Sequence, residues 1–293
     1  VIRRFAGGGT SVQADGIPAL DAYLYGAEDL AIGKDGSLYI QTHNSIRRVH
    51  PGGRISTVVA NVSQPAGIGV SPNGDLFLVT GPASIYSALG GVWRVTPQGR
   101  MDLLAITSYP EDIAVDRAGN VYVCDNGNSA IWRLEPNGRY APYVGHGPNF
   151  PGDGGLAADA HIPGCFSLDI ARDGGLLFTE ENPGFFHNIG KLRRVSPAGI
   201  MSTLAGGPRD PNRSTFINRE GEPAIGAHYG WLPSVAQAPD GSAILASDFA
   251  SAFRITSMFP SFSDDGIVLP SEDAGEIYVF NGRHQQTRSA LTG

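Results

Sequence analysis

The sequence predicts an all-β chain folded as a six-bladed β-propeller, and three observations predict it. One stretch spells out a complete four-stranded meander. Its central turn and strand recur six times along the chain. The first residues read as the outer strand that the last copy lacks. Radial repetition of this kind leaves only short, protected sheet edges.

The meander occupies residues 110–145. Four short apolar runs, 112–115, 121–124, 131–134 and 140–144, are divided by Arg117-Ala118-Gly119-Asn120 and by Pro136-Asn137-Gly138. Short β-branched and aromatic runs bounded by Gly, Pro and Asn are the mark of antiparallel strands, named a to d here in chain order. The a–b turn with its strand b recurs at Gly36, Gly74, Gly119, Gly174, Gly241 and Gly275, spaced 38, 45, 55, 67 and 34 residues apart. A tight hairpin turn demands positive φ there, which favours Gly. Each turn leads into three apolar residues, such as Leu38-Tyr39-Ile40 and Val121-Tyr122-Val123, so strand b is expected to be buried on both faces.

Strand c recurs five times around an arginine: Arg48, Arg94, Arg133, Arg194 and Arg254. A Pro-x-Gly turn follows four of them (Pro51-Gly53, Pro97-Gly99, Pro136-Gly138 and Pro197-Gly199), and strand d follows the turn. A residue repeated in every blade answers to packing between blades, so these arginines are read as structural, with Trp93 and Trp132 beside them as core aromatics. The opening residues 1–8 align with 200–207 as a strand d with nothing before it. Residues 266–293 offer a strand a, the sixth b and a strand c, but no d. Pairing the two ends closes the ring. The domains so drawn are 1–265, an N-terminal strand with five blades, and 266–293, a sixth blade or the start of a further shell. A second repeat, Asp15-Gly16-Ile17-Pro18-Ala19, returns as Asp153-Gly154-Gly155-Leu156-Ala157 and more loosely as Glu220-Gly221-Glu222-Pro223-Ala224. Its AxxA spacing predicts one helical turn between a strand d and the next strand a.

These motifs carry a resemblance. The pattern AGGG, DGxPAxxAxL, DGxLYI and IRRVxPxGxIxTVA across residues 6–60 resembles the NHL-repeat β-propellers, and 153–207 repeats it. Leu269-Pro270-Ser271-Glu272-Asp273, then Glu276-Ile277-Tyr278-Val279-Phe280, Gly282-Arg283-His284 and Ala290-Leu291-Thr292-Gly293 resemble the segment that leads into RHS/YD-repeat shells. An NHL propeller ahead of such a shell is similar to the layout of teneurins and of bacterial teneurin-like or RHS toxin-like proteins. The resemblance implies a secreted or cell-surface parent, an adjoining YD-repeat shell as one partner, and protein or glycan recognition as the work.

Bulk properties bound the function. A net charge of −7 argues against a general affinity for nucleic acid or anionic membrane, and against RNA-binding adaptor propellers, which need a basic face. No apolar run reaches the roughly 20 residues that span a bilayer. The chain begins without Met inside a strand-like run, as an excised domain would. Two cysteines, Cys124 and Cys165, make no disulfide framework; they read first as buried thiols, with a single bridge between them left open.

Antiparallel blades put the short a–b and c–d turns on one face and the b–c loops and d–a connectors on the other. The long segments 7–27, 81–91, 145–163, 180–190 and 206–230 all fall on the second face, where binding is expected. That face collects His43, His146, His161, His187 and His228, with Glu28, Asp29, Glu111, Asp112, Asp125, Glu180 and Glu181. A metal site at the channel mouth is one reading, with Ca or Zn as its ion. Solvated loop residues with no cofactor are the plainer one, since no paired-histidine spacing is present. Glu28-Asp29 and Glu111-Asp112 open the inner strands of blades one and three, as ligands or as strand-start turn chemistry. Phe185, Phe186, Tyr229 and Trp231 are candidates for a partner surface. No nucleophile elbow, phosphate loop or HExxH motif is present. The expected function is therefore a non-catalytic binding or scaffold propeller. The alternative is a metal-dependent propeller hydrolase or lyase.

Overall fold

In the computed structural model the described residues are 3–12, 14–82, 89–96, 98–145, 147, 153–180, 190–207, 224, 225, 227, 229, 232–247, 251–256, 267–270, 276–281 and 284–290. Blade one is Asp29–Ile32, Leu38–Thr42, Ser45–Val49 and Ile55–Ala60. Blade two is Pro65–Val70, Leu76–Thr80, Leu89–Val95 and Met101–Ser108. Blade three is Pro110–Val115, Val121–Asp125, Ala130–Leu134 and Tyr140–Val144. Blade four is Cys165–Ile170, Leu176–Glu180, Lys191–Val195 and Met201–Ala205. Each is an antiparallel sheet in the order a-b-c-d. Blade five shows three strands, Ser234–Gln237, Ala243–Ser247 and Ser251–Ile255.

The turns behave as their glycines require. Gly36, Gly74, Gly119, Gly174 and Gly241 take φ of 79° to 86°, and Gly53, Gly99, Gly138 and Gly199 take 75° to 89°. Gly275 lies outside the described residues. Every one of these nine glycines donates its N–H three residues back, as Gly36 does to Gly33, closing a type I turn with a left-handed glycine after it. The b strands of blades two, three and four are apolar on both faces because each of these blades lies between two others. In blades two, three and four every residue of strand b is buried. Tyr39, Ile46 and Val59 of blade one meet Ile68, Leu76, Leu78 and Val95 of blade two in one core. Phe77, Val79 and Val92 of blade two meet Ile113, Val121, Val123 and Leu134 of blade three in the next.

The strand c arginines are structural, but their partner is the a–b turn of their own blade. Arg48 pairs with Asp35, Arg94 with Asp75, Arg194 with Asp173 and Arg254 with Asp240, while Arg133 takes Glu135. The Ser37 N–H and hydroxyl, with Arg48 behind them, hold the Asp35 carboxyl down at about 2. Trp93 donates its Nε1–H to Thr80 Oγ1 at 3.0 Å, and Trp132 stacks on Tyr140.

The connector repeat is a second outer layer. Residues 15–19 run along strand d of blade one, with Gly16 N–H to Ile55 O, Ile55 N–H to Ile17 O and Ala19 N–H to Gly53 O. Residues 153–157 cover blade four in the same way, through Gly154 N–H to Met201 O, Met201 N–H to Gly155 O and Ala157 N–H to Gly199 O. The AxxA spacing forms the expected single turn, a 3-10 turn at Ala19–Asp21 and at Ala157–Asp159. Asp15 and Asp153 anchor the layer. Asp15 accepts from the Thr57 N–H and hydroxyl and faces Arg47; Asp153 accepts from the Thr203 hydroxyl and faces Arg193.

Ring size and closure differ from the sequence expectation. Five blades, not six, stand in succession through their inner strands. The strands on either side of the sixth copy of the turn belong to a separate three-stranded sheet, Ile267–Pro270, Glu276–Asn281 and His284–Ala290. The turn motif specifies a hairpin, whereas joining a ring depends on contacts between inner strands. Blades one, three and four each present an aspartate to the next inner strand (below). At the same registers blade five has Ser234 and Ala236, and the sixth sheet has Ile267 and Leu269. The N-terminal closure is also corrected. Arg3, Arg4 and Phe5 form no strand and are exposed, Phe5 at 63%. The alignment of this segment holds only at its glycines. Gly7 N–H meets Ala19 O as Gly145 meets Ala157 and Gly206 meets Ala224.

Candidate functional site

Two groupings of polar side chains take in some of the residues named from the sequence, Asp29 and Asp112 in one and Glu111 and Asp125 in the other. The first lines the channel. Asp29 accepts the N–H of Leu30 in its own strand at 2.7 Å and that of Ile68, in blade two, at 2.8 Å. Asp112 does the same for Ile113 at 2.7 Å and for Leu168 of blade four at 2.8 Å. Asp169, two residues further along its strand, accepts from Ile170 and from Gln237 of blade five. Each carboxylate thus clasps the backbone of the following blade. Blade two has Gly67 at this register. A Cβ there would lie 3.0 Å from Asp112 Oδ1 and 3.2 Å from the Ile113 nitrogen, so close approach takes the place of a clasp.

Burial raises all three carboxyls above the ordinary range. Asp112 is pushed up to about 8, by burial first and by the nearby Asp29 charge second. The native state therefore keeps a proton that the unfolded chain releases near pH 4. Stability from this group is full below pH ~4 and is lost as pH rises toward about 8. The melting temperature is expected to fall between pH 5 and pH 8.5, and Asp112→Asn to remove most of that slope. A slope unchanged in the variant would assign it to other groups.

The second grouping is a pocket of about 330 Å³ on the loop face, where blades three and four meet. Tyr109, Glu111, Asn126, Gly127, Pro163, Gly164 and Phe166 line it. Asp125 builds one wall. Its buried carboxylate accepts from Thr107 Oγ1, the Ser108 N–H, and the Asn128 N–H and side-chain amide, which fixes the 3-10 turn Asn126–Asn128. Asn126 then ties three segments together. Its N–H donates to Tyr109 O, its Nδ2 to Glu111 Oε1 at 3.3 Å, and its Oδ1 accepts the Cys165 N–H at 3.2 Å. Gly127 is required by close approach, since a Cβ would meet Ser108 Oγ at 2.2 Å. Tyr109 holds φ at 49°, a left-handed conformation rare for a bulky residue. Such strain persists where the surroundings over-determine it, as functional sites do. Desolvation raises the Glu111 carboxyl against the opposing Asn126 bond.

Beneath the pocket Cys124 and Cys165 form a disulfide, with Cα atoms 5.4 Å apart. This corrects the first reading of two thiols. It joins strand b of blade three to strand a of blade four, a proximity that no local pattern encodes.

The remaining candidates disperse. Glu28 and His43 are exposed at the rim of blade one, His43 edge-on to Tyr25 at 5.7 Å, and His161 is exposed on the connector. Glu180 is buried and paired with Arg193 and Lys191. Tyr229 is 3% exposed and packs edge-on against Phe253; burial pushes its phenol up to about 12. Glu181, Phe185, Phe186, His187, Trp231, His146 and His228 lie outside the described residues. Among the described residues no group of three or more His, Cys, Asp or Glu side chains could hold a metal ion, and no helix is long and apolar enough to cross a membrane. Sequence reading named Glu111 but missed Tyr109, Asn126, Gly127, Pro163, Gly164 and Phe166. Asp125-Asn126-Gly127-Asn128, a turn signal between strands b and c, was the signal available.

The comparisons with known proteins agree on the architecture. Residues 107–134, most of blade three, match the NHL repeat. The chain folds as an all-β propeller, one blade of which matches that repeat. It is 25% identical to teneurin-3 of Danio rerio over 298 aligned residues, which cover 95% of this chain and 10% of that protein. It thus spans about a tenth of that relative's length. Among solved structures, a gluconolactonase from Xanthomonas campestris superposes with a TM-score of 0.53 at 11% identity, over 88% of this chain and 84% of the other. The calcium-binding protein regucalcin from Agrobacterium tumefaciens superposes with 0.52 at 14% identity, over 76% and 68%. At these identities the likeness is one of fold alone.

Proposed function

We propose that this chain is a non-catalytic binding propeller that engages a protein or glycan partner through its loop face. The observation that carries the reading is the pocket between blades three and four. A disulfide, an aspartate-capped turn and a three-way asparagine hold its walls, so it offers a preformed surface with aromatic and carboxyl groups. The parent is proposed to be a secreted or surface protein in which a YD-repeat shell adjoins the propeller. The similarity to teneurin-3 supports this, and so does the disulfide, which suits an oxidising compartment. The test is a screen of the purified chain against a glycan array and a library of extracellular domains. Glu111→Gln and Tyr109→Ala are expected to weaken a captured partner at least tenfold, with Arg48→Ala on the opposite face as the neutral control. Binding that ignores both pocket variants would refute the site.

The second reading, a metal-dependent hydrolase or lyase, draws on one observation: Asp112 holds a proton to about 8 beside the Asp29 carboxylate, an arrangement suited to acid–base work. Turnover in a lactone and lyase panel with added Ca or Zn, lost in Asp112→Asn, would establish it.

A further inference from the structure

Strand d is the outer edge of each four-stranded blade, and the four d strands among the described residues are treated in three ways. Connectors cover the edges of blades one and four, leaving Ile55 and Met201 fully buried. Blade three places Pro142 opposite Trp132, and a proline offers no N–H to an incoming strand. Blade two has neither device. Among the described residues no segment pairs with the outer edge of Met101–Ser108, the longest strand of the four-stranded blades. Leu103, Leu104 and Ile106 are exposed there at 51%, 40% and 57%. An open edge with apolar side chains is a template for strand addition, and proteins ordinarily blunt it.

The receptor chemistry of this edge also differs. Where a connector docks, the register holds an arginine and a threonine that receive the connector's aspartate, as Arg47 with Thr57 and Arg193 with Thr203. Blade two replaces them with Trp93 opposite Leu103. We propose that the outer edge of blade two receives an extended strand from another polypeptide. At the position that Asp15 and Asp153 fill on blades one and four, that strand carries an apolar residue. The chain's own connectors supply the geometry, and the Trp93–Leu103 pair sets the selectivity.

Two soluble peptides test it, each of alternating Val and Thr between terminal lysines, differing only in Val or Asp at the central position. Amide hydrogen exchange of residues 101–107 is the readout. The Val peptide is expected to slow that exchange at least tenfold and the Asp peptide to leave it unchanged. The double variant Trp93→Arg with Leu103→Thr, which installs the receptor of blades one and four, is expected to reverse the preference. Ile106→Lys, which puts a charge on the edge without touching the ladder, is expected to abolish protection while the melting temperature stays within about 2 °C. Equal protection by both peptides, or none by either, overturns the proposal. So does protection that grows with protein concentration alone, since the occupant would then be a second copy of this chain.

Discussion

Replacing Arg193 with methionine is expected to cost about 3–5 kcal/mol of unfolding free energy, read from urea denaturation. Arg193 is 1% exposed and Glu180 beside it 4% exposed, with the Arg193 NH1 to Glu180 Oε2 distance at 2.5 Å. Removing the cation leaves a buried negative charge whose other partner, Lys191, sits at the edge of the site, 3.3 Å away. It also leaves Asp153 with the Thr203 hydroxyl and without its cation, which loosens the connector on blade four. Arg94, half exposed in its pair with Asp75, is the contrast: Arg94→Ala is expected to cost no more than about 1 kcal/mol. Equal losses at the two sites would mean that burial does not decide the matter.

Breaking the Cys124–Cys165 disulfide is the second large effect. The bridge closes a loop over a sequence separation of 41, for which chain-entropy arguments give about 4 kcal/mol. The double variant Cys124→Ser with Cys165→Ser is expected to lose about that much, and the wild-type chain under reductant to match it. The loss will extend to function, because Cys165 and Asn126 together hold the pocket wall. A partner that binds the reduced chain with unchanged affinity would place recognition elsewhere.

Much of this fold was legible because its rules are local. A glycine that must adopt positive φ, followed by an apolar triplet, marks a hairpin and a doubly buried strand wherever it occurs. The connector was legible for the same reason, as a repeated string with one helical turn. Blade number was not, because hairpin chemistry does not say what the inner strand docks against. Asp29 and Asp112 stood out as carboxylates, yet their partners are backbone N–H groups on the next blade, which no residue type announces. The arginines counted from the repeat were Arg48 and Arg194, on the exposed side; the buried ones are their neighbours Arg47 and Arg193. The pocket was half visible. Glu111 lay in the pattern, but its other walls come from three separate segments and from the left-handed turn at Tyr109.

The aspartate clasps point one way. Blade one holds blade two, blade three holds blade four, and blade four holds blade five. Such head-to-tail joints carry no information about how many members a circle has; that number follows from the rotation between neighbours. The donor that each carboxylate receives is a backbone N–H, which every residue except proline supplies, so a duplicated repeat would find its joint ready on both sides. Gene duplication or deletion could then change the number of blades without inventing new contact chemistry, and related chains could differ in circumference while sharing every joint.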